Sequence, residues 1–131
     1  MRFVVDVNIL FSLAKPSTAS NKLVSKFKLE LVAPDFALIE LYKHKEELVR
    51  KSGLDFNSII NSLKDKVVFV DKSEYSGLMK NFKSKISDIS DIPYLALADK
   101  LNLPIWSLDP HLKEQMEIEV FTTAELIGFI D

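Results

Sequence analysis

Residues 2–14 read RFVVDVNILFSLA, an apolar run interrupted in its middle by two polar side chains, Asp6 and Asn8. Phe3, Val4 and Val5 carry the β-branched and aromatic signature of a buried strand, and the residues after Asp6 predict a helix. An apolar N-terminus behind an arginine also resembles a secretory leader. A leader core seldom carries a carboxylate, so a buried strand running into a helix is the better reading. Asp6 therefore ends the first strand in apolar surroundings. A charge buried there needs a partner, although aspartate is also a common helix N-cap.

Working outward, short β-rich runs alternate with longer helical patterns. NILFSLAK and SNKLVSKFK predict a broken helix or two short ones, split near Pro16. ELVAP, residues 30–34, predicts a second strand, and residues 35–51 have helical length and composition, with Gly53 placed as a C-cap. Phe56, Ile59, Ile60 and Leu63 recur at i, i+3, i+4 and i+7, which predicts an amphipathic helix over 55–64. VVFV, residues 67–70, reads as a strand. Residues 73–85 again look helical, with Tyr75, Leu78, Met79 and Phe82 on one face. The polar turn SDISD leads into DIPYLALADKLN, where Pro93 suits the first turn of a helix. PIWS, residues 104–107, predicts a strand, followed by a helical turn from Pro110, a strand EVF and a last helix from Thr122 or Thr123. This order predicts an α/β fold: an open, mostly parallel sheet of about five strands with helices on both faces.

Bulk properties narrow the chemistry. The 131 residues suit one domain, residues 1–131, and suffice for a real core. With no cysteine, thiolate catalysis, disulfides, zinc ribbons and iron–sulfur clusters are excluded together, and a reducing cytoplasmic setting is expected. A bound metal must use oxygen ligands, or His44 and His111. A net charge of −2 argues against binding nucleic acid through a uniform basic surface, but a site that gathers acids around a cation lowers net charge by itself. No run reaches the length of a membrane span, so no membrane partner is expected.

In open parallel sheets ligands bind beyond the carboxyl ends of the strands, and four acids lie at such ends or at helix starts. Asp6 is the first. Glu40 stands in the apolar half of its helix, FALIELY, where a glutamate needs a partner or a cation; a salt bridge to Lys43 or His44 is the structural alternative. Asp91 opens the helix YLALADKL, with Asp88 as competitor, and Asp109 precedes Pro110. Helix capping alone would explain both. If the four converge, they repel one another, and a hard divalent cation such as Mg2+ or Mn2+ relieves the conflict. Such an ion can activate water for attack on phosphorus. Lys15, Lys43, Lys45 and Arg50 lie near these motifs and could meet RNA phosphate, and Trp106 and Tyr94 could stack on bases, although Trp106, in a strand, reads better as core.

The residues resemble the PIN domain, a ribonuclease family that includes VapC-like toxins, over nearly the whole chain. VVDVNIL looks like its first signature, an aspartate followed two residues on by Asn or Ser, matching Asp6 and Asn8. Glu40 in APDFALIELYKHKEEL, Asp91 in DIPYLALA, and Ser107 with Asp109 in IWSLDPHL look like the other three. The resemblance implies a three-layer α/β/α sandwich, Mg2+- or Mn2+-dependent cleavage of single-stranded RNA, a homodimer and an antitoxin protein as partner. Two rivals stand beside it. An aspartate ending the first strand also suits a haloacid-dehalogenase-like phosphatase, but that plan expects a second aspartate where Asn8 stands. The other rival is a PIN-like binding module without activity.

Overall fold

A computed structural model describes residues 1–130, and its sheet has strand order β3-β2-β1-β4-β5, every pair parallel. The strands are β1 (Arg2–Val5), β2 (Glu30–Pro34), β3 (Val67–Val70), β4 (Ile105–Trp106) and β5 (Val120–Phe121). Phe3, Val4 and Val5 are fully buried, as expected of a central strand covered on both faces. The chain lays down β1, β2 and β3 toward one side, then returns to place β4 on the free edge of β1. The gap between β1 and β4 is thus the switch point of the sheet, where such folds hold ligands.

Seven α-helices occur among the described residues: α1 (Val7–Ala14), α2 (Ala19–Phe27), α3 (Phe36–Lys43), α4 (Lys45–Ser52), α5 (Phe56–Lys66), α6 (Ile92–Leu101) and α7 (Thr123–Ile130). Helix α6 packs against β1, β2 and β4, whereas α1 packs against α2, α3, α4 and α5. The three-layer α/β/α arrangement follows. Asp6 caps α1, accepting from the Ile9 N–H at 3.1 Å, and Gly53 closes α4 with φ +73°, a conformation that glycine adopts without strain.

Two segments depart from the sequence reading. Residues 35–51 form two helices, because the chain turns at His44 (φ −106°, ψ 19°). The charges fit the break: Lys43 lies in the last turn of α3, while Glu46 and Glu47 lie in the first turn of α4, each complementing its helix end. Residues 72–74 and 76–82 are 3₁₀ turns instead of an α-helix. Ser76, Gly77 and Asn81 are weak helix formers, and packing against α6 sets the conformation. The expected apolar face survives: Tyr75 and Phe82 are buried, with Leu78 and Met79 partly so.

Candidate active site

Parallel pairing of β1 with β4 sets Val5 opposite Trp106, so the next residues, Asp6 and Ser107, emerge side by side at the carboxyl end of the sheet. Both are buried. The Ser107 hydroxyl donates to Asp6 Oδ2 and accepts the Asp109 N–H at 2.8 Å, joining three of the sequence-predicted residues in one chain of hydrogen bonds. Burial pushes the Asp6 carboxyl up to about 6, and the nearby Asp109 charge adds to this, against the lowering effect of Ser107 and of the Ile9 and Asn8 N–H groups. Asn8 thus contributes its main chain, while its side chain is exposed. Asp109 starts the 3₁₀ turn Pro110–Glu114, with Oδ1 accepting the His111 N–H at 2.9 Å and lying 2.9 Å from His111 Nδ1.

Asp91 occupies the N-cap position of α6 but makes no capping bond, so the capping expectation does not hold for it. The preceding turn is closed by Asp88 instead, whose exposed carboxylate accepts the Ser90 N–H at 3.0 Å and the Ser90 hydroxyl at 2.8 Å. Those bonds hold the Asp88 carboxyl below its usual range. Asp91 is buried, and its Oδ2 has no hydrogen-bond partner among the described residues. Burial and the charges of Asp88, Asp109, Asp6 and Glu40 together push its carboxyl up to about 7. The sequence-predicted acids are therefore near enough to repel one another through this residue.

Glu40 forms no ion pair among the described residues; its Oε1 accepts the hydroxyl of Tyr94 from α6. Burial raises its carboxyl, while that hydrogen bond and the charges of Lys43 and His44 pull the other way. The Tyr94 bond was not foreseen. A hydroxyl within seven successive buried residues, Ile92–Ala98, must find an acceptor, and that need is visible in the sequence even though the acceptor's identity is not. Trp106 is core, as expected, and its indole N–H donates to Thr123 Oγ1 at 3.0 Å. Of the lysines, Lys43 lies close enough to influence Glu40. Lys45 lies over the rings of Tyr42 and Phe56, 5.8 and 5.6 Å from their centroids, and Lys15 lines a groove with Phe11, His44 and Glu47.

Among the described residues, no three His, Asp or Glu side chains are arranged to close around a metal ion. The donor set still suits a hard dication. Every acid offers oxygen, the charges of the neighbouring acids raise the proton affinity of Asp91, and Asp91 Oδ2 is buried without a partner among the described residues. Asp6, Glu40, Asp91 and Asp109 are the residues that could hold one.

Fold and site together define a doubly wound α/β protein with acids gathered at the switch point of its sheet. The chain belongs to the PIN domain family, whose model matches residues 4–123. PIN domains are generally nucleases and generally use divalent metal ions. No curated protein sequence matches the chain. Among solved structures, VapBC2 from Rickettsia felis, bound to a DNA fragment from their promoter, aligns with a TM-score of 0.67 at 16% identity. The alignment covers 93% of this chain and 98% of that one, which establishes a shared fold. No helix among the described residues is long and apolar enough to cross a membrane.

Proposed function

We propose that the protein is a Mg2+- or Mn2+-dependent endoribonuclease that hydrolyses single-stranded RNA, with Asp6, Glu40, Asp91 and Asp109 as its catalytic and metal-binding carboxylates. The observation that carries the proposal is the buried, unpartnered Asp91 Oδ2 amid four other acids. Leaving such an oxygen unsatisfied costs about 1–3 kcal/mol, and a cation is the ligand that relieves both the missing partner and the repulsion. Ser107 and the Ile9 N–H fix the Asp6 carboxylate before any ligand arrives. Asp109 is oriented through its own N–H on Ser107, and Asp88 supplies further negative charge at the rim. A divalent cation bound there supplies activation of water and neutralisation of the charge growing on phosphate. Lys43, together with Lys15 and Lys45, would meet the RNA backbone.

The VapBC2 likeness supports a further reading, in which the protein is the toxin of a pair and is held by an antitoxin protein; a homodimer in the cytoplasm would go with that role. A small DNA-binding protein encoded beside it would favour that role.

Labelled single-stranded RNA incubated with the pure protein and Mn2+, with excess chelator, and with Asp6→Asn tests the activity. Cleavage is expected only in the first case. Cleavage that survives chelation or the substitution overturns the mechanism. Hydrolysis of an aryl phosphate without RNA cleavage would point to the phosphatase chemistry. Neither activity from a folded protein would point to a binding module.

A further inference from the structure

Tyr94 is the one polar side chain in the buried run Ile92–Ala98. Its ring is 2% exposed, packs edge-on against Phe36 (centroids 6.4 Å apart, planes at 75°) and sends its hydroxyl to Glu40 Oε1. Phe36 and Glu40 are one turn apart on α3, and Asp91 lies one turn before Tyr94. A single side chain therefore grips two residues of α3 from the helix that Asp91 opens. Glutamate has several rotatable bonds, and an unheld carboxylate on a half-buried helix face samples many positions. The Tyr94 hydrogen bond takes Oε1 and leaves Oε2 as the oxygen that Glu40 can offer.

We infer that Tyr94 is a positioning residue: its hydroxyl holds Glu40 in the rotamer that offers Oε2 to a cation, and so sets the metal affinity of the site. The inference rests on the metal-dependent reading above. Outer groups that orient a ligand typically change metal affinity by about 10- to 100-fold when removed, and Tyr94→Phe removes the hydroxyl while keeping the ring against Phe36.

The test is calorimetric titration of Mn2+ into the wild type, Tyr94→Phe, Glu40→Ala and the double variant, with circular dichroism to verify each fold. Tyr94→Phe should weaken Mn2+ binding about tenfold or more, and should add nothing once Glu40 is alanine. For RNA cleavage, kcat should fall while KM stays near its wild-type value. Wild-type protein that does not bind Mn2+ overturns the metal-dependent reading and this inference with it. Equal Mn2+ binding by wild type and Tyr94→Phe overturns the inference alone. So does an equal loss from Tyr94→Phe in the Glu40→Ala background, which would mean that Tyr94 acts through packing.

Discussion

Strands β1, β2 and β3 are each followed directly by an aspartate, Asp6, Asp35 and Asp71, yet the three residues have different fates. Asp35 Oδ1 accepts the Tyr75 hydroxyl at 2.5 Å and Oδ2 accepts the Lys72 N–H at 3.0 Å, tying the end of β2 to the segment after β3. Asp71 is exposed, and the Ser73 N–H and hydroxyl, at 3.0 and 2.6 Å, hold its carboxyl below the usual range. Asp6 also accepts two hydrogen bonds, but its carboxyl is driven upward. The number of hydrogen bonds does not separate them. Place in the sheet does: β1 faces the switch point, so Asp6 is buried among other acids, whereas Asp35 ties two segments together and Asp71 closes a local turn. A strand-end aspartate is structural on the β2–β3 side and a candidate for chemistry at β1–β4.

The largest effect should come from removing one charge on each side. Asp6→Asn should lower RNA cleavage at least about 100-fold, the scale seen when a group acting on transition-state charge is lost, while Asp71→Asn should leave it within about twofold. Single-turnover rates at saturating Mn2+ measure this. Equal losses would break the comparison.

The same contrast predicts how stability depends on pH. Asp6 and Asp91 have folded-state values near 6 and 7 against an ordinary 3.8, so the folded protein holds their protons more tightly than the unfolded chain. Their contribution is fully present below about pH 3.8 and is lost as pH rises through 6 and 7. Without metal, the protein should therefore gain on the order of 1–3 kcal/mol as pH falls from 8 to 5. Mn2+ should flatten that slope and raise stability at pH 8, by about 2.7 kcal/mol at 100 times its Kd. Denaturant midpoints at several pH values, with chelator and with Mn2+, read both arms. A metal-free protein most stable at pH 8 would contradict the picture of crowded carboxylates.

Much of this was legible in the sequence, for a physical reason. Strand and helix periodicity is local, so β1, β2, β3 and the start of α6 emerge at or near their predicted bounds, and the four candidate acids are marked by their place beside strand ends and helix starts. What was hidden depends on partners distant in sequence. The break at His44 is written in charge order, not in apolar spacing. The residue that holds Glu40 lies 54 positions away on another layer. Asp91 and Asp88 looked interchangeable as caps, and only burial separates them: Asp88 satisfies the turn, leaving Asp91 inside without a partner.

A smaller effect is expected at the structural end of the comparison. Tyr75→Phe removes the hydroxyl from Asp35 and should lower unfolding free energy by about 1 kcal/mol, with RNA cleavage at its wild-type rate. A loss of cleavage without a loss of stability would mean that the β2–β3 side shapes the site after all.

The smallest effect should be at Lys43. It is exposed, its charge reaches Glu40, and it lines a groove with Ile39, Ile89 and Pro93, so it is the proposed RNA-binding lysine tied most directly to the acids. Lys45 spends its charge over two aromatic rings. With cleavage blocked by Asp6→Asn, Lys43→Ala should weaken binding of labelled single-stranded RNA about two- to fivefold. It should also reduce the salt dependence of log affinity by about 0.7, the value for one phosphate contact on a single strand. Lys45→Ala should do less. Fluorescence anisotropy across a salt series separates a lost contact, which changes the slope, from a local distortion, which shifts affinity and leaves the slope alone. Equal slope changes from Lys15, Lys43 and Lys45 would mean that the strand crosses a diffuse basic face instead of entering beside Glu40.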